Sequence, residues 1–289
     1  LGQVPEMLIR PGGLLLLLAL VVFYKHEVTA EIMMKLYVVA AFVAFLIGAI
    51  FLVCFVPSKV KLATPEYKTK LWVKSILPLI LLTGVQVVNS NTDIVMLGAL
   101  ASNESAGLYK VAVQGATLVT FFLYGVNMAI APYFSRLYTQ KKLQELQKTV
   151  SISGFCIFIG ALPVVAVLVL FGEFVLSFFF GEVFAASYSA LVVLSLAQLV
   201  SACFGSVVLL LNMSGNESEA ARGVLLSALI NIILNYQLIP VYGALGAAYA
   251  SFVSTLIWNL LLFYSVKKRL SINTFFLSGT LFFMRSKNA

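Results

Sequence analysis

The residues with the clearest chemistry are ionisable side chains set inside apolar runs. Three qualify: Arg10, Asp93 and Lys110. A charge in hydrocarbon is costly, so such residues turn to protein or to a watery cavity and are the first candidates for a function. Asp93 is the sole aspartate of the chain. Gln86 and Asn89 precede it on one helical face, and Ser90 and Asn91 add polarity beside it. Lys110 opens the next apolar run, with Gln114, Thr117, Phe121 and Tyr124 on its face. Asp93 lies shortly before Gly98 and Lys110 shortly after Gly107, so antiparallel neighbouring helices bring them to similar depth. An acid and an amine so placed allow a charge pair that a proton, a cation or an anionic headgroup breaks. The same spacing fits a static ion pair closing the hairpin, or a lysine reaching outward to the headgroups. Arg10 stands near the inner end of the first run. Its guanidinium suits a phosphate bidentately, and equally suits an anchor at the headgroups.

Further polar stripes recur at helical spacing. They are Ser227, Asn231 and Asn235; Ser251, Thr255 and Asn259; and Gln198, Ser201 and Gly205. Small and amide residues so spaced either glue helices together or line a cavity. Gly243 to Gly246 predicts a tight turn where backbones approach closely. Asn103-Glu104-Ser105 matches a glycosylation sequon, a pattern frequent by chance. Cys54, Cys156 and Cys203 lie in apolar stretches and read as small core residues. With one histidine, His26, beside Lys25 and Glu27, they form no zinc-type constellation. No phosphate-binding glycine loop is present, and no cofactor is expected.

The elements that must position these residues follow from composition. Of 289 residues, 61% are hydrophobic and 10% charged, and the mean hydropathy is +1.03. Such a chain cannot cover itself with polar surface, which excludes a soluble globular protein. At roughly 20 residues per crossing, apolar runs between charged punctuation predict eight transmembrane helices. They fall near residues 7–24, 36–56, 75–98, 108–134, 150–172, 188–212, 223–240 and 244–264. Pro163 predicts a kink in the fifth. The net charge of +8 points to cytoplasmic loops and contact with membrane lipids, not to nucleic acid. With the N-terminus inside, sixteen of the 19 basic residues fall on the cytoplasmic side; Lys25, Lys35 and Lys110 do not. The positive-inside rule therefore predicts both ends inside. The segment 57–74, with Pro57, Pro65 and five lysines, is the expected boundary between helical lobes. From Phe275 to Met284 the tail is apolar but too short to span. It is expected along the inner leaflet with Arg285 and Lys287 at the headgroups, or as a ragged end. The chain starts at Leu1 without an initiator Met, and an N-terminal truncation is expected.

Several stretches taken in order resemble a known group. These are Pro5 to Leu14, Asn91 to Gln114, Asn127 to Tyr138, Leu209 to Glu217 and Asn231 to Ala250. Together they are similar to the bacterial polysaccharide-export flippases of the O-antigen and teichoic-acid exporter group. That group lies within the multidrug/oligosaccharidyl-lipid/polysaccharide exporter superfamily. The resemblance implies an all-α integral membrane protein with two six-helix lobes, of which this chain supplies the fifth to twelfth helices. Residues 1–56 would be the last two helices of the N-terminal lobe and 57–74 the basic cytoplasmic link. Residues 75–264 would be the complete six-helix C-terminal lobe and 265–289 a cytoplasmic tail. Gly12-Gly13 departs from the pattern, where relatives run straight into leucines. The implied activity is movement of an isoprenoid-diphosphate-linked oligosaccharide from the inner to the outer leaflet by alternating access. It places the chain in a bacterial inner membrane, with polysaccharide polymerase machinery as a further partner. The matching positions for substrate contact are Arg10, Asn91, Lys110, Gln114 and Asn127, with Asp93 for ion coupling. Alternatives are a drug/cation antiporter of the same superfamily, or a polytopic glycosyltransferase or polymerase. The enzymes need paired acids or a large loop, neither of which is present, so a non-enzyme is expected.

Overall fold

The computed structural model of the chain describes residues 9–23, 29–55, 69 and 91–276. Lys25, His26, Gln86, Asn89, Ser90, Arg285 and Lys287 lie outside the described residues. So do most of the expected 57–74 link, the first part of the third span and the tail beyond residue 276. Among the described residues every regular element is helical and there is no strand. Six helical stretches there are long and apolar enough to cross a membrane: Glu31–Phe51, Asn103–Thr139, Leu143–Phe180, Glu182–Phe204, Glu217–Tyr242 and Ala244–Leu270. Of the other two expected spans, the first is a shorter apolar helix, Arg10–Phe23, and the third is described only over residues 91–100. The chain divides into two compact units, Leu1–Trp72 and Val73–Ala289.

The first unit pairs α1 (Arg10–Phe23) with α2 (Ala30–Phe55). Ala40 and Ala44, one turn apart, are its buried positions among the described residues. Small side chains at that spacing let helices pack closely where lipid offers no hydrophobic drive.

The second unit begins with the helical residues 91–100, α3, followed by α4 (Asn103–Thr117) and α5 (Phe121–Thr139). Ser102 starts α4 because its extended backbone lets Oγ accept the Ser105 N–H at 3.1 Å. A short 3₁₀ turn, Leu118–Thr120, joins α4 to α5. The long α6 (Leu143–Phe180) exceeds the expected fifth span at both ends and runs on through Pro163. At 1.5 Å per residue its 38 residues cover roughly 57 Å, more than one crossing of a ~30 Å hydrocarbon core needs.

The expected sixth span, 188–212, proves to be two helices, α7 (Tyr188–Phe204) and α8 (Val207–Met213). Gly205 breaks them apart with φ +66° and ψ −144°, a conformation open to glycine and strained for other residues. The last pair, α9 (Glu217–Tyr242) and α10 (Ala244–Leu270), meets at the tight turn expected from the sequence. Gly243 has φ +55°, and a Cβ on Gly246 would overlap the Leu238 carbonyl.

Within this unit α7 packs against α6, α4 and α10, and α9 lies along α10. One core gathers Leu97, Tyr109, Ala112, Ala116, Ile157, Ala161, Leu191, Ala247 and Ala248. A second gathers Phe134, Leu146, Val150, Phe204, Leu211, Leu262, Val266 and Ile272. Large apolar side chains such as Leu170, Phe174, Phe178, Ile233 and Tyr236 point outward. Small residues inside and large apolar ones outside suit helices whose solvent is lipid.

Candidate functional site

The second unit builds its most polar interior around Asp93. Its carboxylate accepts the Tyr109 hydroxyl at 2.6 Å and the Ser251 hydroxyl on Oδ2, and the Asn235 amide at 2.6 Å on Oδ1. Four helices, α3, α4, α9 and α10, thus converge on one acid. The Tyr109 and Ser251 hydroxyls also lie 3.2 Å apart. Tyr109 is 1% exposed and Asn235 fully buried.

The network continues along α9 and α10. Asn235 donates to Asn231 Oδ1 at 3.0 Å, Asn231 approaches the Ser254 hydroxyl at 3.5 Å, and Ser227 donates to the Ser254 carbonyl at 3.0 Å. The stripe on the seventh span therefore meets Ser254 of the eighth and shares Asp93 with Ser251, and the glue reading fits these residues. They also do more, because their outer members, Asn235 and Ser251, hold the acid. Further along α10, Asn259 donates to Ser201 Oγ at 3.1 Å and ties α10 to α7. Asn235 Oδ1 is buried without a hydrogen-bond partner. Among the described residues no cluster of three His, Cys, Asp or Glu side chains could hold a metal ion.

The anticipated Asp93–Lys110 pair is not formed. Successive residues of a helix are turned by about 100°. Tyr109 takes the inward position, and Lys110, next to it, is exposed with no ion-pair partner among the described residues. Lys110 instead shares an uncovered face of α4 and α5 with Gln114, Thr117, Phe121 and Tyr124, all exposed within their unit. Thr117 spends its hydroxyl on the Gln114 carbonyl at 2.6 Å, leaving the Gln114 side chain outward.

Asn127 departs from its expected company. Its Oδ1 accepts the Ser206 hydroxyl, which ties α5 to the α7–α8 break. Asn91 is exposed at the start of the described α3. Arg10 belongs to the first unit, where its guanidinium lies over the Tyr37 ring at 4.4 Å, a cation–π contact.

Tyr109, Asn235 and Ser251 were not singled out by sequence reasoning as partners of Asp93. A signal existed: a lone acid in an apolar hairpin requires donors, and the amide and hydroxyl stripes on later helices require acceptors.

Comparison with known proteins bears on what such a unit belongs to. A family model described as polysaccharide biosynthesis protein matches residues 28–189, more than half of the chain. Two relatives come from Haloferax volcanii. The "Probable low-salt glycan biosynthesis flippase Agl15" is 26% identical over 165 residues, covering 56% of this chain and 34% of the relative. The "Probable flippase AglR" is 28% identical over 172 residues, covering 58% of this chain and 36% of the relative. The match thus spans about a third of the length of these curated relatives. No solved structure matches the chain.

Proposed function

Because the chain belongs to the polysaccharide biosynthesis protein family, we propose that it works as part of a flippase for a lipid-linked oligosaccharide. The cargo is an isoprenoid-diphosphate-linked glycan, moved from the inner to the outer leaflet. The observation that carries this reading is the uncovered polar face on a membrane-length helical stretch. Lys110, Gln114 and Thr117 lie exposed on Asn103–Thr139, with Phe121 and Tyr124 below them. A lysine in that position is costly against hydrocarbon, and a watery path along this face would relieve that cost. A cation there meets the diphosphate, the amide meets sugar hydroxyls, and the aromatic rings offer faces to pyranose rings. The names of the Haloferax volcanii relatives support the same reading.

Asp93 takes a different role in this account. It sits inside the lobe, held by three donors, away from the exposed face. We assign it to coupling: a proton or cation arriving at the carboxylate rearranges the four helices that converge there. Moving one charge through the membrane potential is worth about 2.3 kcal/mol per 100 mV, a useful drive for alternating access. Asn91 and Asn127 are further candidates for substrate contact in this unit; in the first unit, taken by itself, Arg10 is a candidate contact for a phosphate. The basic residues keep both ends of this chain inside.

The test is substitution at Lys110 in the protein as it occurs in membranes. Lys110→Ala is expected to slow relocation of a fluorescent isoprenoid-diphosphate oligosaccharide about tenfold, the worth of one lost charge-assisted contact. Lys110→Arg keeps most of it. An alanine variant as fast as the parent protein would contradict the assignment.

A further inference from the structure

The exposed line that begins at Lys110 does not stop at Tyr124. It runs on at every third or fourth residue, through Met128 and Pro132, to Arg136 in the last turn of α5. Every member of that line is exposed within its unit, and Met128 is 83% exposed. The opposite side of the same stretch holds the buried residues Tyr109, Ala112, Ala116, Val119 and Phe134. One face of α4 and α5 is therefore turned away from the unit along its whole length, with a cation near each end.

Between Lys110 and Arg136 the chain has no Asp, Glu, Lys, Arg or His. At about 1.5 Å per residue, roughly 40 Å of helix separates the two cations. A bilayer with its headgroups is about 40–45 Å thick, so the spacing suits one cation at each headgroup level. Arg136 makes no ion pair among the described residues. Other bases expected on its side do: Lys142 meets Glu145 at 3.3 Å, and Arg222 and Arg269 meet Glu219 at 3.7 and 2.7 Å. The Arg136 guanidinium is thus free to act as a planar fork, which takes two oxygens of a phosphate group at once. Tyr133, three residues earlier and 58% exposed, is its helix neighbour and offers a hydroxyl to the same anion.

We propose that Arg136 receives the diphosphate of the lipid-linked substrate at the inner end of this face, the counterpart of Lys110 at its outer end. The proposal deepens the flippase reading and rests on it, and on the orientation that puts Arg136 inside. The occupant is the substrate and not a phospholipid. A diphosphate carries more charge and more acceptor oxygens than one phosphodiester, enough to engage the fork and the Tyr133 hydroxyl together. The charge-free interval then has a use. A group that must cross needs binding strong enough to enter and weak enough to leave. Cations at the two ends give the diphosphate two resting places, and Phe121, Tyr124 and Met128 between them hold no charge that would stop it midway.

The test measures initial rates of relocation in membranes holding the full protein. A fluorescent isoprenoid-diphosphate oligosaccharide is supplied to the inner leaflet at increasing surface density. Arg136→Gln is expected to raise KM about tenfold and to leave kcat within about twofold. Arg136→Lys keeps the charge without the fork and is expected to raise KM about threefold; it carries the test if the glutamine variant fails to reach the membrane. Lys141→Asn removes a neighbouring exposed charge from the α5–α6 turn and suits the positive φ there, and it is expected to match the parent protein. Parental KM in the Arg136 variants, with transport intact, overturns this proposal, marks Arg136 as a headgroup anchor and leaves the flippase reading standing. A KM raised as much by Lys141→Asn also overturns it, because general surface charge then explains the effect. A parent protein that relocates nothing overturns both.

Discussion

At the scale of residues, the account turns on how one carboxylate is satisfied inside an apolar lobe. Asp93 is neutralised by no cation among the described residues; it is held by two hydroxyls and an amide. Hydrogen bonds to a charged group are each worth about 1.5–3 kcal/mol. Such an acid is held in place without a cation beside it. Asp93→Asn keeps the shape but turns one accepting oxygen into a donor that faces hydroxyls. Transport is expected to fall at least about tenfold while the amount of protein in the membrane stays within about twofold. Equal loss of both, read by quantitative blotting beside the transport assay, would mean that Asp93 only holds the helices together. The sequence made Asp93 and Lys110 legible as exceptional residues and left open whether they pair or Lys110 turns outward. Depth along two antiparallel helices follows from spacing, whereas facing depends on which of two adjacent positions, Tyr109 or Lys110, turns inward. Tyrosine wins because its ring fills the core and its hydroxyl reaches the acid.

At the scale of elements, the apolar runs announce themselves, since a bilayer demands about 20 of them per crossing. Five of the expected spans have counterparts among the described helices that overlap them and run longer. Helices extend past hydrocarbon for as long as their backbone bonds continue, and hydropathy alone does not register that. The break at Gly205 was missed for a related reason: Gly-Ser inside an apolar run reads as a small-residue contact, and only its backbone angles reveal a discontinuity. The Gly243–Gly246 turn was legible because two closely spaced glycines between long apolar runs leave few alternatives. Gly246 gives a sharp check on that turn. A side chain there overlaps backbone, which cannot move aside as a side chain would. Gly246→Val is expected to destabilise the lobe by about 3 kcal/mol, seen as a lower Tm in detergent. An unchanged Tm would mean that α9 and α10 do not approach as described. At the opposite end of the same pair, Arg269 meets Glu219 at 2.7 Å on an exposed surface, where an ion pair is worth little. The pair is held mainly by its buried stripe of Ser227, Asn231, Asn235 and Ser254.

At the scale of the whole molecule, the chain separates its polar groups into two kinds. One set is buried and mutually satisfied around Asp93. The other, led by Lys110 and Gln114, is exposed on a helix whose neighbouring outward residues are apolar. In the proposed function the first set is a lock and the second a path, a reading that family membership and the names of the two relatives support. The most direct measurement follows a lipid-linked oligosaccharide with a labelled sugar in membranes containing the protein. It reads both the leaflet that the label occupies and the mass of the labelled molecule. The account predicts that the label moves to the outer leaflet with its mass unchanged, and that membranes lacking the protein leave it inside. A new covalent product, or a label that stays inside with the protein present, would contradict it.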